Sequence, residues 1–166
     1  MSGWRTGRPD GPLSFLGIGV TAAVVIADQL AKFAAINWLP EHTAFDLLPI
    51  LSLYRINNTG IAFSFLAGSG SALVVLMVAV SAVVIGFWRG TRDGGRAAAI
   101  GYAMILGGAL GNLIDRARLG YVTDFLLLHF GDWTLFVFNL ADAALTLGPV
   151  VLIAVFLFPG RKKPAD

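Results

Sequence analysis

The sequence predicts an all-α polytopic membrane protein, with four transmembrane helices and a small extracytoplasmic β-sheet and loop cap. Three observations predict it. The chain of 166 residues is 57% hydrophobic and 13% charged, and its mean hydropathy of +0.77 lies far on the apolar side for a soluble domain. Four apolar segments, roughly 13–37, 71–88, 97–114 and 138–158, come close to the ~20 residues that a helix needs to cross a bilayer. The basic residues fall in clusters on one side of that four-span arrangement.

The first span follows Arg5 and Arg8. No small-x-small cleavage pattern ends its apolar run, which leads instead into Asp28-Gln29-Leu30-Ala31-Lys32, so it reads as an uncleaved signal anchor. Asp28 and Lys32 are four apart and share a helix face, about 23 Å into the span. They are expected to form a structural ion pair, because removing either would leave a lone charge in a dry setting.

The outer segment 38–70 follows. Leu51, Leu53 and Arg55 alternate with Ser52 and Tyr54, and Ile61, Phe63 and Phe65 alternate with Ala62 and Ser64. This predicts short strands on either side of an Asn57-Asn58-Thr59-Gly60 turn, in an apolar sheet lying against the membrane surface. Asn57-Asn58-Thr59 also matches a glycosylation sequon, a weak signal that the turn already explains. Gly68-Ser69-Gly70-Ser71 reads as a flexible joint into the second span.

Arg89, Arg92 and Arg96 separate the second and third spans. Within the third, Gly107-Gly108-Ala109-Leu110-Gly111 has the small-residue spacing that lets membrane helices approach closely. The outer segment 115–137 has a strand-like Tyr121-Val122-Thr123 and a loop around Gly131-Asp132, and Arg161-Lys162-Lys163 follows the fourth span. Since cytoplasmic loops carry the excess of Lys and Arg, both termini are expected in the cytoplasm and both outer segments outside it. With no repeat and no appended hydrophilic stretch, residues 1–166 are expected to form a single integral-membrane domain, monomeric and in contact with membrane lipid.

Three carboxylates share one layer of this arrangement. Asp115 ends the outward-running third span, Asp142 lies about 6 Å inside the inward-running fourth, and Asp124 lies on the connection. Each alone has an ordinary reading as a helix-end or loop residue, and Asp142 would be favoured by a helix N-terminus. Together at one depth they point to a site, because ionisable groups there are costly and two adjacent carboxylates can share a proton and activate a water. Spacing does not say which two form the working pair. Asn112, Arg116 and Asn139 surround them: Arg116 could pair with Asp115, Asn139 could cap the fourth span, and the amides could hold a substrate backbone.

Other chemistries fit less well. A net charge of +2 does not favour nucleic-acid binding, and the absence of cysteine removes disulfides, thiolate metal sites and a cysteine nucleophile. His42 and His129 are the only histidines, with no His-Glu-x-x-His or Gly-x-Ser-x-Gly pattern. A Ser–Lys dyad would need Lys32 and a serine such as Ser64, and would leave the aspartates unexplained. No metal and no organic cofactor are expected.

Five blocks, in order, carry a resemblance: Asp28-Gln29-Leu30-Ala31-Lys32, Asn58-Thr59-Gly60-Ile61-Ala62-Phe63, Gly111-Asn112-Leu113-Ile114-Asp115-Arg116, Val122-Thr123-Asp124-Phe125 and Phe138-Asn139-Leu140-Ala141-Asp142. Over nearly its whole length the chain resembles the lipoprotein signal peptidase (signal peptidase II) family. The resemblance implies that Asp124 and Asp142 are the catalytic dyad, that Asp115 and Arg116 support the site, and that Asn58, Asn112 and Asn139 bind substrate or shape the site. It implies an aspartic endopeptidase of the bacterial cytoplasmic (inner) membrane, active at the extracytoplasmic face. Its substrates would be diacylglyceryl-modified prolipoproteins, cut just before the lipidated cysteine. Ala143 departs from the family's frequent serine at that place, which removes a hydroxyl but no acid. Two alternatives are a small proton-coupled membrane carrier, using intramembrane Asp and Lys as a relay, and a scaffold that binds partners through its glycine-rich third span.

Overall fold

A computed structural model describes residues 7–60 and 70–158. Helix α1 (Phe15–Trp38) begins at Ser14, whose hydroxyl accepts the Gly17 N–H at 3.0 Å and so satisfies an otherwise orphan donor. Pro40 follows just past its end. Strands β1 (Ala44–Leu48) and β2 (Leu51–Asn58) form a hairpin. Helices α2 (Gly70–Gly90) and α3 (Gly95–Leu119) come next, then strands β3 (Val122–Phe130) and β4 (Trp133–Phe138), and helix α4 (Leu140–Leu157).

All four helices are long and apolar enough to cross a membrane. Helix α3 is the hub: it packs on α4, α1 and α2 and buries most of its apolar length, whereas the other three bury little of theirs. Glycine sets the closest approaches. A Cβ at Gly148 would stand 2.5 Å from Ile105 Cγ1 and 2.7 Å from the Gly101 carbonyl, and one at Gly107 would stand 2.7 Å from Val24 Cβ. Phe15, Ile26 and Phe33 on α1, Val75 and Phe87 on α2, and Ile153 on α4 face outward, as a lipid solvent allows.

The helices match the expected spans except α3, which runs through Leu119 rather than stopping near 114. Asp115 and Arg116 are therefore helical residues. Arg116 and Arg118 suit the negative end of the helix dipole, and Gly120, at φ +79°, closes the helix by returning its N–H to the Arg116 carbonyl.

The strands form a four-stranded antiparallel sheet in the order β1-β2-β3-β4, so the fold is four helices plus a sheet rather than all-α. The strand before the expected turn is longer than expected: β2 continues through Asn57 and Asn58, which pair with Thr123 and Val122. The Asn58 side-chain oxygen then accepts the Gly60 N–H at 3.0 Å, and a separate hairpin, not expected, joins β1 to β2 at Pro49-Ile50. The strand expected at 61–65, and Gly68 and Ser69 of the expected joint, lie outside the described residues. Gly70 and Ser71 already belong to α2. Strand β4 was not expected, because Trp133, Leu135 and Val137 alternate with Phe136 and Phe138 and both faces read as apolar.

The two ends of the helix bundle differ in chemistry. At one end Trp88 Nε1 donates to the Asp10 carbonyl at 2.7 Å and Arg96 lies 3.6 Å from the Asp10 carboxylate, which gathers Arg8, Arg89 and Arg96 there. At the other end the sheet meets α1 and α3 through the buried half of β3.

Candidate active site

The site is built around the start of α4. Asn139 is its N-cap: the side-chain oxygen accepts the Asp142 N–H at 2.9 Å, and Asp142 Oδ2 accepts the Asn139 N–H at 3.3 Å, a reciprocal capping box. The amide end of Asn139 then reaches across to β3 and donates to Asp124 Oδ1 at 2.6 Å. On β2, Asn58 pairs with Val122, which places it diagonal to Asp124 on one face of the sheet. Its amide donates to Asp124 Oδ2 at 2.9 Å. From α3, the Asn112 amide donates to Asp142 Oδ1 at 2.7 Å.

Each of the four oxygens of Asp124 and Asp142 thus receives an N–H. Both carboxylates line one cavity of about 760 Å³, with Asn58, Asn112, Arg116 and Thr146 as its other polar walls and Met77, Phe136 and Leu145 among its apolar ones. Burial drives the Asp124 carboxyl up to about 6 from an ordinary 3.8. The neighbouring charge of Asp142 adds to the rise, while the Asn58 and Asn139 amides and Lys32 oppose it. This arrangement of paired acids, one inclined to keep its proton, is suited to acid–base activation of water against a carbonyl.

Asp115 lies behind the cavity rather than on it. It pairs with Lys32, at 2.9 Å, rather than with Arg116, one partner that adjacency in sequence had allowed. Its other contacts are Gln29 Nε2 at 2.9 Å and the Thr123 backbone N–H at 3.2 Å, so it ties α3 to α1 and to the start of β3. Lys32 also meets Asp28 at 2.8 Å and Asn112 Oδ1 at 2.8 Å. Asp28 Oδ1 accepts the Ala141 N–H at 2.9 Å, satisfying a donor in the first turn of α4. Arg116 donates through Nη2 to the Gly60 carbonyl; among the described residues its Nε and Nη1 are buried with no hydrogen-bond partner.

Sequence reasoning missed Gln29, which bridges Asp28, Gly111 and Asp115. A third polar residue beside Asp28 in an apolar span was the available signal. It also missed Ser52, whose hydroxyl lies 2.7 Å from both Asp46 Oδ1 and His129 Nε2. There the serine stands between acid and imidazole, which is not the order a nucleophile–base–acid triad requires, and none of the three lines the cavity.

Residues 20–158 match the family described as Signal peptidase (SPase) II. The chain is 43% identical to the lipoprotein signal peptidase of Sinorhizobium fredii over 139 residues, covering 83% of this chain and 84% of that one. It is 40% identical to that of Mesorhizobium japonicum over 148 residues, covering 89% and 88%. A solved structure described as a bacterial membrane enzyme, obtained by the in meso method, superposes with a TM-score of 0.77 at 25% identity over 90% of this chain and 93% of that one. A second, at 24% identity, shares the fold with a TM-score of 0.78 over 91% and 97%.

Proposed function

This chain belongs to the signal peptidase II family, an aspartic peptidase family, and on that premise we propose that it removes the signal peptide of bacterial prolipoproteins, cutting just before a diacylglyceryl-modified cysteine. Asp124 and Asp142 are the catalytic pair. The observation that carries this reading is their shared cavity, in which every carboxylate oxygen is held by an N–H and both acids face the same space.

One acid is ionised and takes a proton from water; the other is protonated and polarises the scissile carbonyl. Water adds to that carbonyl, and the tetrahedral intermediate collapses as the leaving nitrogen receives a proton. Burial raises the Asp124 carboxyl, which inclines the pair to hold one proton between them. Asn58, Asn112 and Asn139 fix the two acids in place. Arg116, at the cavity wall with buried Nε and Nη1 that have no hydrogen-bond partner among the described residues, is suited to a substrate carbonyl. Asp115 supports the site from behind, and Asp28 and Lys32 form its buried ionic base.

The membrane supplies the geometry. A lipid-tethered cysteine sits at the bilayer boundary, and the cavity lies beside the C-terminal end of α3 and the N-terminal half of α4, with apolar walls on α2, β4 and α4. The arginine-rich end of the bundle is opposite, which supports a multi-pass topology in the inner membrane with both termini cytoplasmic and the site on the outer side. The enzyme works as a monomer among lipids. The carrier alternative has no support: the paired acids gather at one end, and the relatives are named as peptidases.

The test is cleavage of a diacylglyceryl-modified prolipoprotein by the purified chain in detergent, read by mass spectrometry with and without chelator. A chelator-insensitive cut just before the lipidated cysteine is expected. No cut by folded protein overturns the reading.

A further inference from the structure

Lys32 touches neither carboxylate of the pair, yet it makes the shorter of the two hydrogen bonds that orient the side chain holding one of them. An ammonium group only donates, so the atom that Asn112 turns towards Lys32, 2.8 Å away, is its oxygen. The same oxygen also receives the Asn139 amide at 3.2 Å. With its oxygen committed, Asn112 has only its NH2 to offer on the other side, where Asp142 Oδ1 lies at 2.7 Å. Turned half a revolution, Asn112 would set N–H against N–H at Lys32 and oxygen against oxygen at Asp142. Asn139 is oriented independently, by its own oxygen capping α4.

The ammonium has three N–H groups and three acceptors: Asp28 Oδ2 at 2.8 Å, Asp115 Oδ2 at 2.9 Å and Asn112 Oδ1. Lys32, Asp28, Asp115 and Asn112 are all buried, so no water competes for these bonds. The third acceptor is the one that ties the ammonium to the acid pair, since the Asn112 that receives it also holds Asp142. We propose that Lys32 is a positioning residue for the hydrolysis: through Asn112 it holds the Asp142 carboxylate in register with Asp124. This rests on Asp124 and Asp142 being the working pair.

The experiment compares Lys32→Met with Lys32→Gln, each combined with Asp28→Asn so that one buried negative charge leaves with the ammonium. Gln can still donate to Asn112 Oδ1; Met cannot. The Met variant is expected to lose roughly 100-fold in kcat, the scale of a misplaced catalytic group, with little change in KM. The Gln variant should recover much of that at a similar melting temperature. Equal turnover in the two variants would reduce Lys32 to charge balance and overturn the proposal. Should neither fold, Asn112→Asp decides, since it leaves Lys32 an acceptor but offers Asp142 no donor. A folded Asn112→Asp protein with near-normal kcat overturns the proposal, and one that binds substrate but turns it over roughly 100-fold more slowly supports it. Failure of the underlying reading is separately visible: an active Asp124→Asn protein would sink the pair itself, whatever Lys32 does.

Discussion

Asn139 donates its amide to Asp124 Oδ1 at 2.6 Å while its own oxygen caps α4 at the Asp142 N–H. One side chain therefore starts a membrane helix and holds an acid that belongs to the sheet. The two jobs separate by substitution. Asn139→Ser keeps a capping oxygen but is too short to reach Asp124, so turnover should fall at least about tenfold while the melting temperature changes little. Asn139→Ala loses both, with a further cost of about 1 kcal/mol for the cap. Thermal unfolding of the two variants alongside their turnover checks the separation, and a Ser variant as active as the parent would remove Asn139 from the site.

Asp124→Asn and Asp142→Asn keep the volume of each side chain and remove its acid. Each is expected to lower kcat by about 10²–10⁴, the range for a positioned acid or base, in protein that still purifies folded. Near-normal turnover by either would refute the pair.

The spans, the shared depth of the acids and the capping role of Asn139 were legible because each has a local signature: apolar length, position along a span, and a polar residue ahead of a helix. The partner of Asp115 was not. Arg116 is its sequence neighbour, and only the packing of α1 on α3 brings Lys32 to it. Neither spacing nor composition picked Asp124 and Asp142 from three acids; the resemblance of the blocks did. The length of β2 was misread because Asn57 and Asn58 have turn chemistry, yet both pair across to Thr123 and Val122, and Asn58 uses its side chain for the turn that follows, at Gly60.

The raised Asp124 carboxyl gives stability a pH dependence of definite sign. The folded protein binds that proton more tightly, at about 6 against an ordinary 3.8. The stabilisation is thus complete below about 3.8 and is lost as pH rises through about 6. The loss is of the order of 2–3 kcal/mol. Melting temperatures taken from pH 4 to 7 should show a decline in the parent that is shallower in Asp124→Asn, and parallel curves would refute the assignment. If the protonated Asp124 is the acid, kcat/KM falls above about pH 6. A substrate that covers the cavity desolvates Asp124 further, so the corresponding limb of kcat should lie at higher pH.

Asp28 serves Lys32 with one oxygen and the Ala141 N–H with the other. Asp28→Asn keeps an oxygen for the backbone but leaves Lys32 with less compensating charge in a dry setting. The melting temperature should drop by several degrees while turnover per folded molecule is largely retained. Unchanged stability with lost turnover would instead put Asp28 in the chemistry.

Gly148→Ala tests whether the separation of α3 and α4 governs the site. The added methyl would stand 2.5 Å from Ile105 Cγ1, 2.7 Å from the Gly101 carbonyl and 3.1 Å from the Ile105 nitrogen. Two of these are backbone atoms of α3, which cannot swing aside as a side-chain tip can, so the helices must part. Overpacking of this kind costs about 1–3 kcal/mol. The same two helices carry Asn112 and Asp142, joined across the gap by a 2.7 Å hydrogen bond that parting would stretch. Gly148→Ala is therefore expected to lower both melting temperature and kcat. Gly86 on α2 is the control, because a Cβ there would meet nothing within 4 Å. Gly86→Ala should be neutral or slightly stabilising, since alanine favours the helix by about 1 kcal/mol over glycine. If the two variants behave alike, contact at Gly148 does not hold the acids in register, and the asparagine ties alone must do so.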